Sequence, residues 1–149
     1  MKPTLIRAYR QAALSAILTL LLFGCATPYQ PEDGFKPLRM AGGYFEKQVR
    51  LNEWAIAFRG NAKLDSETSR DYCLIRASEL CLNAGYDYFE IVDEMLDFET
   101  QTVYRAGGSG IQETTEVYKM HIKARSRANP NTLNAFFLYN ELKDRYELY

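Results

Sequence analysis

Histidine and cysteine are scarce: the 149-residue chain has one of the first and three of the second. A transition-metal centre needs several converging imidazole, thiolate or carboxylate ligands, and no spaced set of them is present. His121 has no partner pattern for nucleophilic catalysis, because Ser109 lies in a glycine-rich stretch without the nucleophile-elbow signature. That stretch, Gly107-Gly108-Ser109-Gly110, lacks the Lys-Ser/Thr of a phosphate loop and reads as an ordinary loop. The acidic cluster Asp93, Glu94, Asp97 and Glu99 lacks calcium-loop spacing and reads as a solvated strand end. There is no basic run. With 18 Lys and Arg against 19 Asp and Glu, nucleic acid is a poor partner class. No internal repeat is visible, and no apolar run reaches the roughly 20 residues of a membrane span. These absences lead to the expectation of a non-enzymatic protein without a metal or dissociable cofactor.

What is present begins at the N-terminus. Lys2, Arg7 and Arg10 precede an apolar stretch that ends Leu22-Phe23-Gly24-Cys25. A positive leader, a short apolar segment and a small residue at the cut site form a lipoprotein signal over residues 1–24. Cys25 then becomes the acylated first residue of the mature chain. Each buried methylene contributes about 0.8 kcal/mol, so the three acyl chains of lipoproteins with this pattern make release negligible. Residue 26 is Ala rather than Asp, which by the enterobacterial sorting rule points to the outer membrane.

The leader contains no acid, so the mature chain has 15 basic and 19 acidic residues and a net charge of −4. Its length fits one domain with a tether. Residues 25–52 contain Pro28, Pro31, Pro37 and the Gly42-Gly43 pair, which oppose regular structure. They are assigned to a lipidated, extended tether that holds the domain clear of the lipid. Tyr29, Phe35, Tyr44 and Phe45 are unusual in a free linker, so part of this arm is expected to be ordered.

Residues 53–149 form the predicted domain. Trp54, Ile56 and Phe58 alternate with Ala55, Ala57 and Arg59, as in a strand with one heavy apolar face. Asp65 or Ser66 caps a helix that runs to about Ala84. Cys73, Leu74, Ala77, Leu80, Cys81 and Ala84 share one face of it, and Gly85 ends it. On that helix Cys73 and Cys81 stand about 12 Å apart, too far to bridge, and read as small packing residues. A second strand follows over Tyr86–Met95, then a loop over Phe98–Glu113 and a third strand over Thr114–Arg125. Asn129-Pro130 is expected to open a last helix, with Ala135, Leu138, Leu142, Tyr146 and Tyr149 at helical spacing. The fold class is α/β (α+β), a small two-layer sandwich in β-α-β-β-α order. Its three-stranded sheet carries two helices on one face and leaves the other open.

The chain resembles a family of small uncharacterised bacterial lipoproteins. The shared residues are Thr27-Pro28-Tyr29-Gln30-Pro31, Gly42-Gly43-Tyr44, Phe58-Arg59-Gly60-Asn61, Leu74-Ile75-Arg76 with Glu79-Leu80, and Gly85-Tyr86-Asp87-Tyr88-Phe89. The likeness implies a lipoprotein with one domain and brings no activity with it. The chain also looks, more loosely, like the α/β domain of envelope stress-sensor lipoproteins.

The expected function is therefore a lipid-anchored binding or scaffolding module that faces the periplasm from the outer membrane. Its covalent lipid is on Cys25, and its partner is an envelope protein. The candidate interaction surface comprises Lys119, His121 and Lys123 on the outer face of the third strand. Arg76 and Glu79 are added at i, i+3 on the first helix, as a surface ion pair or a recognition patch. A structural homo-oligomer held by the last helix, with Phe136, Phe137 and Tyr139 beyond its docking stripe, is the alternative. A stress-sensor-like protein or an enzyme ranks below both.

Overall fold

The computed structural model describes residues 26–32, 42–61, 63–104, 108 and 110–148. The signal segment and Cys25 lie outside the described residues, as do Phe35, Pro37, Ser109 and Tyr149. The elements are β1 (Gly43–Arg50), β2 (Glu53–Arg59), α1 (Ser66–Asn83), β3 (Tyr88–Tyr104), β4 (Gly110–Arg125), β5 (Leu133–Asn134) and α2 (Ala135–Arg145).

The mixed α and β class is as expected, but the sheet has five strands rather than three, in the order β1-β2-β4-β3-β5. All four neighbouring pairs are antiparallel. β2 and β3 therefore run parallel with β4 inserted between them, and α1 bridges this split pair. The two strands not foreseen have weak sequence signals. β1 lies inside the stretch assigned to the tether, and its residues Phe45 to Arg50 are all exposed, so no buried alternation marks it. β5 pairs only Leu133 and Asn134 with Phe89 and Tyr88.

α1 has the ends its sequence predicts. The Asp65 carboxylate accepts from the Thr68 backbone N–H at 2.7 Å and from the Thr68 hydroxyl at 3.0 Å. At the other end Gly85 takes a left-handed φ of 80°. The N–H groups of Gly85 and Tyr86 return to the carbonyls of Leu82 and Cys81, closing a Schellman motif.

Two expectations fail for physical reasons. The segment Phe98–Glu113 is not a loop, because β3 continues to Tyr104 and β4 begins at Gly110. β2 ends at Arg59 opposite Val117, and among the described residues none from the outer part of the β3–β4 hairpin belongs to the core cluster. Its threonines suit a strand but give no apolar alternation. The last helix begins at Ala135 rather than at Asn129-Pro130. The Asn129 side chain accepts from the Asn131 N–H at 2.8 Å, and its carbonyl accepts from the Thr132 N–H at 3.1 Å. This asparagine turn competes with helix, and Asn134 provides the cap through Phe137 N–H at 3.0 Å.

The core fills one side of the sheet. Trp54, Ile56 and Phe58 of β2, Met120, Ile122 and Ala124 of β4 and Phe89 of β3 meet Cys73, Leu74, Ala77 and Cys81 of α1. α2 adds Ala135 and Leu142 to the same cluster. Cys73 and Cys81 are free and fully buried. Burial pushes both thiols up to about 12.

The start of the described chain is docked on this core. Pro31 forms a parallel bridge to Tyr44, with Tyr44 N–H donating to Gln30 O and Glu32 N–H to Tyr44 O, both at 2.8 Å. The Tyr29 ring lies 4.8 Å from Tyr44 and 5.6 Å from Tyr72, and its hydroxyl donates to Glu79 at 2.7 Å. Thr27 is buried. Gly43 makes this approach possible: its φ is 151°, and a Cβ there would stand 2.3 Å from Gln30 O.

Candidate functional site

Strand alternation decides what the open face of the sheet carries. The registers place Glu53, Lys123 and Glu90 in one row, then Lys47, Ala55, His121 and Asp93, then Phe45, Ala57, Lys119 and Met95. The last row before β1 and β2 end is Gly43, Arg59, Val117 and Asp97. Two alanines thus occupy the middle of the face, between larger side chains on either side. The result is a groove of about 320 Å³ with Ala55 and Ala57 on its floor. Phe45 and Lys47 line one wall, and Asp93, Met95, Lys119 and His121 the other.

The charges around the groove are largely paired across strands. Lys119 Nζ lies 2.6 Å from Asp97 and 3.4 Å from Glu99. Arg59 binds Glu99 at 2.6 Å and also binds Glu32 of the docked N-terminal segment. The Lys119 hydrogen bond holds the Asp97 carboxyl below its ordinary range, and Arg59 does the same for Glu99. Glu53 has the least accessible carboxylate of the face, with 4% of its side chain exposed. It accepts from Lys123 at 2.8 Å and from Arg50 at 2.9 Å. The Lys123 hydrogen bond leads in lowering its pKa. His121 Nε2 stands 3.7 Å from Glu53, beyond hydrogen-bond reach, and has no hydrogen-bond partner among the described residues.

Lys119, His121 and Lys123 therefore come together as foreseen, on the face without helices. Arg76 and Glu79 do not join them. Arg76 sits on the helix side, where it donates to Glu46 at 2.7 Å and to Glu79 at 2.7 Å and covers the Tyr44 ring at 4.7 Å. Glu79 also accepts from Tyr29. The pair clasps α1 to β1 and to the N-terminal segment, and the reason is tertiary: Glu46 and Tyr29 lie 30 and 50 residues away in sequence.

The acidic cluster is split as well. Asp97 and Glu99 join the open face, whereas Glu94 turns to the helix side and accepts from Arg70 at 2.8 Å and from Tyr118 at 2.9 Å. Phe45, Ala55, Ala57, Met95 and Glu53 are site residues that sequence reasoning passed over. The one available signal was Ala55 and Ala57, two small residues alternating with Trp54, Ile56 and Phe58.

Chemically, the groove offers apolar contact on its floor and ion pairing at its rim. Among the described residues, no cluster of three or more His, Cys, Asp or Glu is placed to hold a metal ion. No helix of the described residues is long and apolar enough to cross a membrane. No family model, curated protein or solved structure matches this chain.

Proposed function

We propose that this protein is an acylated lipoprotein of the bacterial envelope, anchored through Cys25 in the outer membrane and facing the periplasm. It acts as a non-enzymatic binding module that takes an envelope protein on the open face of its sheet. The observation that carries this reading is the groove over Ala55 and Ala57. It is a concave, partly apolar surface on a face that no helix of the described residues covers. Small side chains at the centre of a sheet leave room for a partner's side chain, and the paired charges at the rim order that surface without filling it.

In-cell photo-crosslinking from positions 45, 95 and 121, with the lipidated protein at native level, tests this. A discrete heteromeric adduct from the groove positions, absent from a helix-side position such as 79, is the expected result. Self-adducts alone, or none from all three positions, would overturn it.

A second reading rests on Phe136 and Phe137 at the start of α2. They stay 59% and 72% exposed while Ala135 and Leu142 of the same helix are buried in the core. If the protein is instead a structural homo-oligomer, these rings are its contact. Sizing the soluble domain at high concentration distinguishes the two, because a monomer rules out the oligomer.

A further inference from the structure

The outer part of the β3–β4 hairpin, Phe98–Tyr104 with Gly110–Glu116, extends past the end of the rest of the sheet. β2 stops at Arg59 opposite Val117, and β1 starts at Gly43 opposite Arg59. Among the described residues no third strand pairs with this two-stranded arm. At about 3.4 Å per residue its seven residue pairs span roughly 24 Å.

The N-terminal segment leaves the domain at the same end. It runs parallel to β1, which starts at that end, so moving back from Pro31 toward Ala26 leads to the base of the arm. Contacts agree: a Cβ on Gly42 would meet both Thr27 and the Arg59 carbonyl, at 2.6 and 2.4 Å. Arg59 in turn binds Glu99 on the arm. Thr27 is buried, so only Ala26 separates the docked chain from Cys25. Two Cα steps allow a leash of about 7 Å.

We propose that this hairpin arm lies in the headgroup layer of the same membrane that holds the acylated Cys25. The inference rests on the acylation of Cys25 proposed above. A leash of about 7 Å cannot hold clear of the bilayer an arm more than three times as long that projects from the same end. The headgroup layer is only about 6 Å deep on each side, so the arm lies along it rather than standing through it.

The arm's chemistry suits that layer. Phe98 is 57% exposed and Ile111 46%. From Thr100 to Gln112 the sequence has no acid to be repelled by anionic lipid, and the acids of the returning strand, Glu113 and Glu116, lie between the middle of the arm and its base, opposite Gln101 and Phe98. Glu99, at the base, is already paired with Arg59 and Lys119. The unpaired backbone groups of a two-stranded ribbon find hydrogen-bond partners in hydrated headgroups, which the hydrocarbon would deny them.

The test uses the full lipidated chain in vesicles of phosphatidylethanolamine and phosphatidylglycerol brominated near the headgroup. Trp54 is the only tryptophan, is buried, and lies toward the opposite end of the sheet, so it provides an internal reference. Ile111→Trp and Thr102→Trp place reporters on the two sides of the arm, and Leu51→Trp places one on the far β1–β2 turn. The arm reporters are expected to lose about half of their added emission to the brominated lipid, and the Leu51→Trp reporter none. Protein that floats with the vesicles but shows no quenching at 102 or 111 would overturn the arm contact and leave acylation intact. Emission at 111 that changes with protein concentration, and not with bromination, would put a second copy on the arm instead and overturn the proposal. Failure of the protein to float would remove the acylation on which the inference rests.

Discussion

The two faces of the sheet are built on opposite principles. On the helix side, Phe58, Ile56, Ile122 and Phe89 meet small residues of α1, and polar groups such as Glu94, held by Arg70 and Tyr118, lie around that packed layer. On the open side, alanines leave a groove, and charges are laced across four strands. One face is held by volume and the other by pairing. Stability and the recognition proposed for the open face are therefore separable in this domain.

The largest expected effect breaks the first face. Phe58 is fully buried and packs edge-on against Tyr72 at 4.9 Å. Phe58→Ala should cost about 3–5 kcal/mol of unfolding free energy, measured by urea denaturation of the soluble domain. Gly43→Ala follows. Its methyl group would meet the Gln30 carbonyl at 2.3 Å and take a φ that side chains disfavour, for a loss of about 1–3 kcal/mol. Limited proteolysis should then cut within Ala26–Glu32, and the parent should resist cleavage there.

Titration reaches the open face through its lowered carboxylates and the helix side through its buried thiols. Glu53, Asp97 and Glu99 have lowered pKa values. Their contribution is complete above the ordinary carboxylate range of about 4 and is lost as pH falls through the lowered folded values. The Cys73 and Cys81 thiols are raised to about 12 by burial. Their contribution is complete below the unfolded thiol value of about 8.5 and fades as pH rises toward 12. Denaturation midpoints across pH should thus fall at both ends, with Glu53→Gln flattening only the acid limb and Cys81→Ala only the alkaline one. Least disruptive is Ala55→Leu in the groove. Stability should stay within about 0.5 kcal/mol while heteromeric crosslinks from position 121 disappear.

The helix side was legible in sequence, and the open side much less so. The spacing of Cys73, Ala77 and Cys81, the cap at Asp65 and the stop at Gly85 are local signals, and each is found where the pattern places it. The face of β4 that carries Lys119, His121 and Lys123 followed from period-2 alternation alone. Their partners did not, because a bulge in β3 at Val92 shifts the register between Ile91 and Asp93. One extra residue turns Asp93, Met95, Asp97 and Glu99 to the open side and Glu94 to the helices. No pattern within the strand reveals such an insertion. β1 was hidden for another reason: an exposed edge strand with Glu46, Lys47, Gln48 and Arg50 reads like linker.

The two thiols sealed beneath the sheet have a consequence for the life history of the chain. Cys73 and Cys81 occupy space with no room for an attached group, and Cys73 directs its sulfur at the Tyr118 carbonyl, 3.6 Å away. If the chain is exported, as proposed above, it reaches an oxidising compartment before it is folded. There its thiols are open to capture for as long as α1 is undocked, and a captured thiol cannot enter this core. On that proposal maturation is a race in which packing must outrun oxidation, and the yield of native protein becomes a matter of timing as much as of stability.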